Sequence, residues 1–453
     1  MLKKLFNFWK NYKTIVYRIL FTLFILIIFR MGSLITMPGV VWQGDQNSSG
    51  SQFLSLLSVL GGGVVSKLSF FALGISPFIT ASIIVQLLSN GLVPSITRLA
   101  KQGHKGQIKL NYLTKFLTVP IGYLQSFATI KALENSGLIV VSWSKTGYHD
   151  SLFYYFLCPI VLLSGTMITL FFADLISNKG IGQGVSVIIF TSILVSMAYQ
   201  FESAGKTLFG NFQDGNFEKL QFLNFVRFFI YLSSVFLVFY FIIFLNNSER
   251  RLPIQQTGSG LRLENQKKSY LPIKLNPSGV IPVIFASTLI SLLNSVSEIV
   301  KNKNPQNNYV LFTQKYLSFR AWWGIFFFAL LVFLFTLVYA HIAINSENLA
   351  ENFKKNGVYV AGVRPGDSTR KYITSIVARL SIFGAFYLSF LSIFSLLIAK
   401  LLFYEQNNSF AISGTSLLIL IMVGENIVRQ LIDLKVQSRY VTLWNKKKDI
   451  FLW

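Results

Sequence analysis

The chain has 453 residues, of which 53% are hydrophobic and 13% charged, against roughly 25% charged residues in an average soluble protein. This composition argues against a water-soluble enzyme or binding domain. The formal net charge of +24 is typical of some nucleic-acid-binding proteins, but here Lys and Arg lie in short loops between apolar stretches. A single cysteine, Cys158, and three scattered histidines indicate neither a disulfide framework nor a metal site, and we expect no cofactor.

Ten apolar stretches are long enough to cross a bilayer, since a helix needs about 20 residues to span the hydrocarbon layer. They are residues 19–35, 75–93, 112–130, 152–172, 181–199, 223–245, 279–297, 323–344, 376–398 and 414–431. The first stretch follows several lysines, as a secretory signal does. No small-residue cleavage site follows it, so we interpret it as a retained span.

The basic residues predict the orientation of these spans. Most Lys and Arg fall in alternate loops on the side of both termini, which the positive-inside rule places in the cytoplasm. Five spans lie within residues 1–200 and five within 201–453, with cytoplasmic loops at about 246–276 and 345–375. An odd number of spans per half permits an inverted repeat. The two halves show no residue-level similarity that would establish one.

One short apolar element interrupts the pattern between the first and second spans. Residues 53–60 would extend only about 12 Å as a helix, too little to cross the bilayer. Three glycines follow at 61–63 and suit a hinge or re-entrant turn. Non-helical backbone at membrane depth needs protein or water around it, so we expect the element to point inward.

Six blocks in the chain carry a resemblance to a known family. They are LSFFALGISPFITASIIVQLL (68–88), NKGIGQGVSVIIF (178–190), SERRLPI (248–254), LPIKLNPSGVIPVIFAST (271–288), ENFKKNGVYVAGVRPG (351–366) and GTSLLILI (414–421). Together they resemble the SecY family, the pore-forming subunit of the Sec protein translocation channel. The resemblance implies an all-α membrane protein with ten transmembrane helices in two inverted five-helix halves and a short re-entrant plug helix.

The resemblance also implies a function and a pore constriction. Such a protein translocates unfolded preproteins across the membrane and inserts membrane proteins laterally into it. The implied constriction residues are Ile75, Ile79, Val185, Ile189, Ile284 and Ile419. Two pairs among them are spaced i,i+4 and so lie on single helix faces. From the residues alone, the favoured interpretation is that these side chains face lipid or neighbouring helices, because apolar β-branched residues are ordinary constituents of membrane spans.

The implied plug comprises the apolar element and its glycines. Its residues are Phe53, Leu54, Leu57, Leu60, Gly61, Gly62 and Gly63. By length alone the element could also be an ordinary buried re-entrant segment.

Gln86 and Asn294 are polar residues inside the second and seventh spans, which flank a lateral gate in the family. Their alternative role is hydrogen bonding between helices with no part in gating.

Three arginines match the basic loops on which the family docks the SecA motor or a ribosome. They are Arg250 and Arg251 in SERRLPI, and Arg364, which the turn-forming pair Pro365-Gly366 presents at a loop tip. The alternative is that these charges only fix the topology. Further implied partners are SecE-like and SecG-like small membrane subunits, preproteins with signal sequences, and membrane lipid.

A secondary transporter and an intramembrane enzyme are the two alternative classes for a chain with these spans. A secondary transporter also joins inverted repeats to interrupted helices, but few ionisable residues lie inside the spans to form its substrate site. The chain has no H-E-x-x-H motif and no usable Ser-His pair, so we expect no enzymatic activity. We expect an integral multi-pass protein of the bacterial cytoplasmic membrane with both termini cytoplasmic; the thylakoid membrane is the less favoured location.

Overall fold

The computed structural model describes residues 2–42, 68–89, 93–135, 139–141, 153–209, 219–256, 270–303, 306–317, 322–344, 346–402 and 414–450. The chain divides into two compact units. The first unit comprises Met1–Ser203, Ser291–Leu311 and Ile419–Trp453, and the second comprises Ala204–Ile290 and Phe312–Leu418. The predicted halves, 1–200 and 201–453, stay a prediction.

Helices dominate both units. In chain order they are α1 (Leu2–Ser33), α2 (Ser76–Leu87), α3 (Pro94–Lys101), α4 (His104–Asn135), α5 (Cys158–Lys179), α6 (Gly184–Phe209), α7 (Lys219–Asn246), α8 (Ile281–Lys303), α9 (Asn308–Tyr316), α10 (Trp322–Ala343), α11 (Ser346–Lys355), α12 (Asp367–Leu402) and α13 (Gly414–Ile450). A π-helical turn, Phe153–Leu157, leads into α5. The strands among the described residues are β1 (Val40–Trp42), β2 (Ile139–Val141), β3 (Glu249–Gln256), β4 (Tyr270–Lys274) and β5 (Val358–Val360).

Every predicted span coincides wholly or largely with one of these helices. Among the described residues, five segments are long and apolar enough to cross a membrane: Ile15–Ser33, Tyr155–Lys179, Ile281–Lys301, Trp322–Ala340 and Asp367–Phe394. Three shorter apolar helices are Ser76–Leu87, Gly184–Ala198 and Leu232–Asn246. The all-α membrane fold is therefore confirmed, and the count of ten spans stays a prediction.

Proline marks the start of four of the described helices. Pro94 is the first residue of α3, while Pro77, Pro159 and Pro282 are the second residues of α2, α5 and α8. Proline fits there because the first N–H groups of a helix have no partner within it. Because α2 begins only at Ser76, residues 68–75 lie outside the helix.

The first unit has a core around the start of α2. Leu68, Leu73, Leu133 and Leu162 are all fully buried in it, and Cys158 packs among them as an apolar residue. Strands β1 and β2 pair antiparallel beside this core. The loops after the first and third predicted spans are therefore joined.

The second unit contains a three-stranded antiparallel sheet in the order β4-β3-β5. Leu252 of β3 and Ile273 of β4 pack in one apolar cluster with Ile376 and Leu380 of α12. This cluster seats the sheet on the end of α12. The sequence predicted only loops at 246–276 and 345–375, so the pairing of these two segments is a finding of the structure.

Candidate functional site

Two predicted constriction residues lie at the start of α2. Ile75 occupies the N-cap position of α2, and the N–H of Ile79 donates to the carbonyl of Ile75 at 3.1 Å. The two side chains are therefore one turn apart, as their spacing predicts. Both are buried.

Three further members of the predicted constriction lie on α6 and α13. Val185 is half-buried and Ile189 buried on α6, and Ile419 is buried on α13. The backbone N–H of Gly182, just before α6, donates to the side-chain carbonyl of Gln430 at 2.7 Å. Because Gln430 also lies on α13, this bond ties the helix that carries Ile419 to the start of the helix that carries Val185.

Ile284 is the member of the predicted constriction that belongs to the second unit. It is half-buried on α8, and the next residue, Phe285, packs edge-on against Phe335 and Tyr339 of α10. These ring contacts fix the rotation of α8 near Ile284. That all six aliphatic residues form one ring at one depth stays a prediction.

The two predicted gate residues are both half-buried in the first unit. The amide of Gln86 donates to the hydroxyl of Ser82 at 3.2 Å, within α2 itself. Asn294 lies on α8, and the preceding carbonyl, that of Leu293, accepts a hydrogen bond from the Tyr309 hydroxyl at 3.0 Å. Their part in a gate stays a prediction.

A second glutamine links α2 to a neighbouring helix. Gln125 of α4 is fully buried, and its amide donates to the hydroxyl of Thr80 at 3.3 Å. Thr80 in turn donates to the carbonyl of Ser76 at 3.1 Å. Gln125 was not among the predicted site residues, although it too is a polar residue inside a predicted span, as Gln86 is.

The two predicted docking arginines of β3 are exposed. The Nε of Arg251 lies 2.8 Å from a carboxylate oxygen of Glu249, and its guanidinium lies 4.8 Å from the centre of the Tyr270 ring. The hydrogen bond to Glu249, together with the charges of Tyr270 and Glu249, raises the pKa of Arg251 above its usual value. Arg251 is therefore oriented by two neighbours, whereas Arg250 on the adjacent position faces Ile273 across the sheet.

Arg364 is exposed in the turn between β5 and α12. Its carbonyl accepts a hydrogen bond from the buried Thr369 hydroxyl at 2.8 Å. Gly366 has a φ of +103°, a conformation that side-chain-bearing residues rarely adopt. The turn is therefore held in one shape. Because β5 pairs with β3, the loops that carry Arg251 and Arg364 belong to one sheet.

The predicted plug lies outside the described residues. It comprises Phe53, Leu54, Leu57, Leu60, Gly61, Gly62 and Gly63. The described chain resumes at Leu68, seven residues before Ile75.

Solved structures with this arrangement of helices are protein-conducting channels. One of them matches with a TM-score of 0.66 and 16% identity, covering 94% of this chain and 93% of that chain. Sec61 in the canine ribosome-channel complex from the endoplasmic reticulum matches with a TM-score of 0.62 and 15% identity, again covering 94% and 93% of the two chains. The fold is therefore that of a protein-conducting channel, an integral membrane protein.

The family is identified from similarity in amino-acid sequence. Residues 69–428 match the SecY family model. The protein translocase subunit SecY of Mycoplasma capricolum subsp. capricolum is 44% identical over 448 residues, covering 98% of this chain and 92% of that protein. The chain belongs to the SecY family, which confirms the resemblance carried by its six blocks.

Proposed function

We propose that this chain is the central subunit of a channel that moves unfolded preproteins across a membrane and releases membrane segments sideways into lipid. Its similarity over nearly its whole length to a protein translocase subunit carries this proposal. The relatives give no support to a secondary transporter of small solutes, and the family is that of a channel subunit rather than an enzyme.

Reconstitution tests the proposed function directly. Vesicles that contain the chain with its small membrane subunits, a motor ATPase and ATP should render an added preprotein resistant to external protease. Vesicles without the chain should not. Protease resistance that is independent of the chain would contradict the proposal.

The proposed constriction works through the chemistry of its aliphatic side chains. Such side chains form no selective hydrogen bonds, so they can close around many different segments and exclude water from an idle pore. The burial of Ile75, Ile79, Ile189 and Ile419 in the first unit supports a dry environment. In this proposal the element at 53–60 caps the constriction from outside, and the glycines 61–63 form its hinge.

The proposed lateral gate involves α2 and α8, the helices of Gln86 and Asn294. A hydrogen bond between membrane helices contributes about 1 kcal/mol, so replacing either residue by leucine should shift the closed-to-open ratio about fivefold. Weaker signal sequences should then suffice for insertion. Insertion of a series of signals with graded hydrophobicity into membranes measures this threshold.

The control for the gate experiment is Ser82→Ala, which removes the partner of Gln86 within α2. An unaltered threshold in Gln86→Leu and Asn294→Leu would leave both residues as simple contacts between or within helices. If Ser82→Ala reproduces the effect of Gln86→Leu, that residue acts on α2 alone and not on a gate.

The proposed partners dock on the sheet of the second unit and the turn beside it. Arg250, Arg251 and Arg364 are exposed there, and arginine forms paired hydrogen bonds with carboxylates and phosphates. We propose a SecA-like motor or a ribosome as the partner on this surface, and SecE-like and SecG-like subunits within the membrane. The solved canine channel was itself observed in a ribosome complex.

The proposed location is the bacterial cytoplasmic membrane, with both termini in the cytoplasm. The distribution of Lys and Arg supports this orientation. Labelling of cysteines placed in the loop at 345–375 with a membrane-impermeant maleimide should occur from the cytoplasmic side only.

A further inference from the structure

Residues 68–74, which we call the anchor segment, connect the predicted plug to Ile75. The segment is almost completely buried, and it is neither helix nor extended strand. Left-handed backbone stands at both its ends, with φ of +41° at Leu68 and +52° at Gly74. Positive φ is uncommon for a residue with a side chain such as Leu68, and it persists only where the surrounding protein determines it.

The end of α1 and the residues after it hold one side of the anchor segment. The N–H of Met37 donates to the carbonyl of Leu68 at 3.1 Å, and the N–H of Phe70 donates to the carbonyl of Ile35 at 3.0 Å. These two bonds pair the segment with the chain leaving the first span, as in a short piece of antiparallel sheet.

Helix α5 holds the other side. A Cβ added to Gly165 would lie 2.0 Å from the carbonyl oxygen of Phe70, so the backbones of the two segments touch and no side chain fits. One turn further along α5 is Thr169, fully buried, whose hydroxyl oxygen lies 3.2 Å from the carbonyl of Gly74 and 2.7 Å from that of Thr166. The hydroxyl has a single proton, and both carbonyls lie within hydrogen-bond distance of its oxygen.

The anchor segment leads directly into the constriction. The N–H of Gly74 donates to the carbonyl of Phe71 at 2.9 Å, and that of Ser76 to Leu73 at 3.2 Å. The turns are continuous with the first turn of α2. A displacement of residues 70–74 therefore displaces Ile75.

We propose that Gly165 and Thr169 are positioning residues: they clamp the anchor segment, so that the turn that carries Ile75 and Ile79 stays in place. This inference rests on the proposed constriction.

The test compares two matched substitutions on α5, in full-length chain reconstituted with its small subunits. Thr169→Val preserves shape and removes the hydroxyl near Gly74. Thr166→Val makes the same change at a buried threonine whose hydroxyl donates to the carbonyl of Leu163 in its own helix. Thr169→Ser retains the hydroxyl and should behave as the parent.

Two quantities are measured: hydrogen exchange of the amides in residues 68–80, by mass spectrometry, and ion conductance at rest. Thr169→Val should speed the exchange about fivefold, the factor expected for one net hydrogen bond, and raise the conductance. Gly165→Ala should produce the larger effect on both, because backbone must move. Thr166→Val should change neither.

Each outcome separates the inference from the proposed function. Unchanged exchange in both Thr169→Val and Gly165→Ala overturns the clamp, and so does an equal effect of Thr166→Val. Faster exchange with unchanged conductance upholds the clamp and overturns the assignment of Ile75 and Ile79 to the constriction.

Discussion

Channels in which Ile79 and Ile284 are both replaced by asparagine should conduct ions at rest. Asparagine hydrates a constriction that aliphatic side chains keep dry, and a continuous column of water conducts. Recording in a planar bilayer should resolve single-channel steps that the parent lacks. Leucine at both positions should keep the channel closed to ions, since it retains the apolar surface.

The control replaces two other buried aliphatic residues of the same helices, Val85 and Val283, with asparagine. Val85 lies six residues after Ile79 and so points to a different side of α2. If this pair leaks as much as the first pair, the conductance reflects general damage. If the first pair stays as tight as the parent while still folded, the constriction lies elsewhere.

Deletion of the predicted plug helix, residues 53–60, should also raise the ion conductance of the resting channel. Channels lacking residues 53–60 should conduct ions intermittently at rest, because only the proposed constriction is then left to close the pore. Combining the deletion with Ile79→Asn and Ile284→Asn should give a conductance larger than either change. A deletion channel as tight as the parent would contradict the role of this element as a plug.

Arg364→Glu should abolish motor-driven export while leaving the folded channel and its subunit contacts intact. Removing one partner of a desolvated charge pair costs about 2–5 kcal/mol, so reversal of the charge should weaken motor binding by about 30-fold or more. Binding to channel-containing vesicles and ATP-dependent preprotein import measure the two effects. Export at the parental rate would contradict the docking assignment.

The matched control is Lys354→Glu, the same charge reversal at an exposed site on α11, between the same two predicted spans. If motor binding depends on the position of the charge and not only on its sign, Lys354→Glu should weaken binding only slightly. Arg364→Lys separates charge from hydrogen-bond geometry, because lysine lacks the planar fork of arginine. Thr369→Val removes the hydrogen bond to the Arg364 carbonyl and should weaken binding moderately by loosening the turn.

The sequence predicted the fold class and the family because both depend on strong local signals. Apolar stretches of about 20 residues report on the membrane directly. The spacing of Ile75 and Ile79 predicted their common face correctly, since the helical period alone decides it. Whether the six aliphatic residues come together depends on packing between helices, which no single stretch encodes.

The structure adds features whose sequence signals are weak. Strand β5 has only three residues, and its pairing with β3 spans about a hundred positions, so no local pattern predicts it. The contact of Gly165 with Phe70 depends on an absent side chain on one helix and a carbonyl in another segment. Gln125 was detectable in principle, but its partner Thr80 was not, because threonine is common inside membrane helices.

The small sheet of the second unit has a mechanical consequence. Strand β3 continues from α7, strand β4 leads towards α8, and strand β5 is followed by the turn into α12. The hydrogen bonds of the sheet therefore connect the turn of Arg364 to the segments that join α7, α8 and α12. If a partner docks on Arg364 as proposed, we expect a force applied there to reach all three of these helices, including the one that carries Ile284.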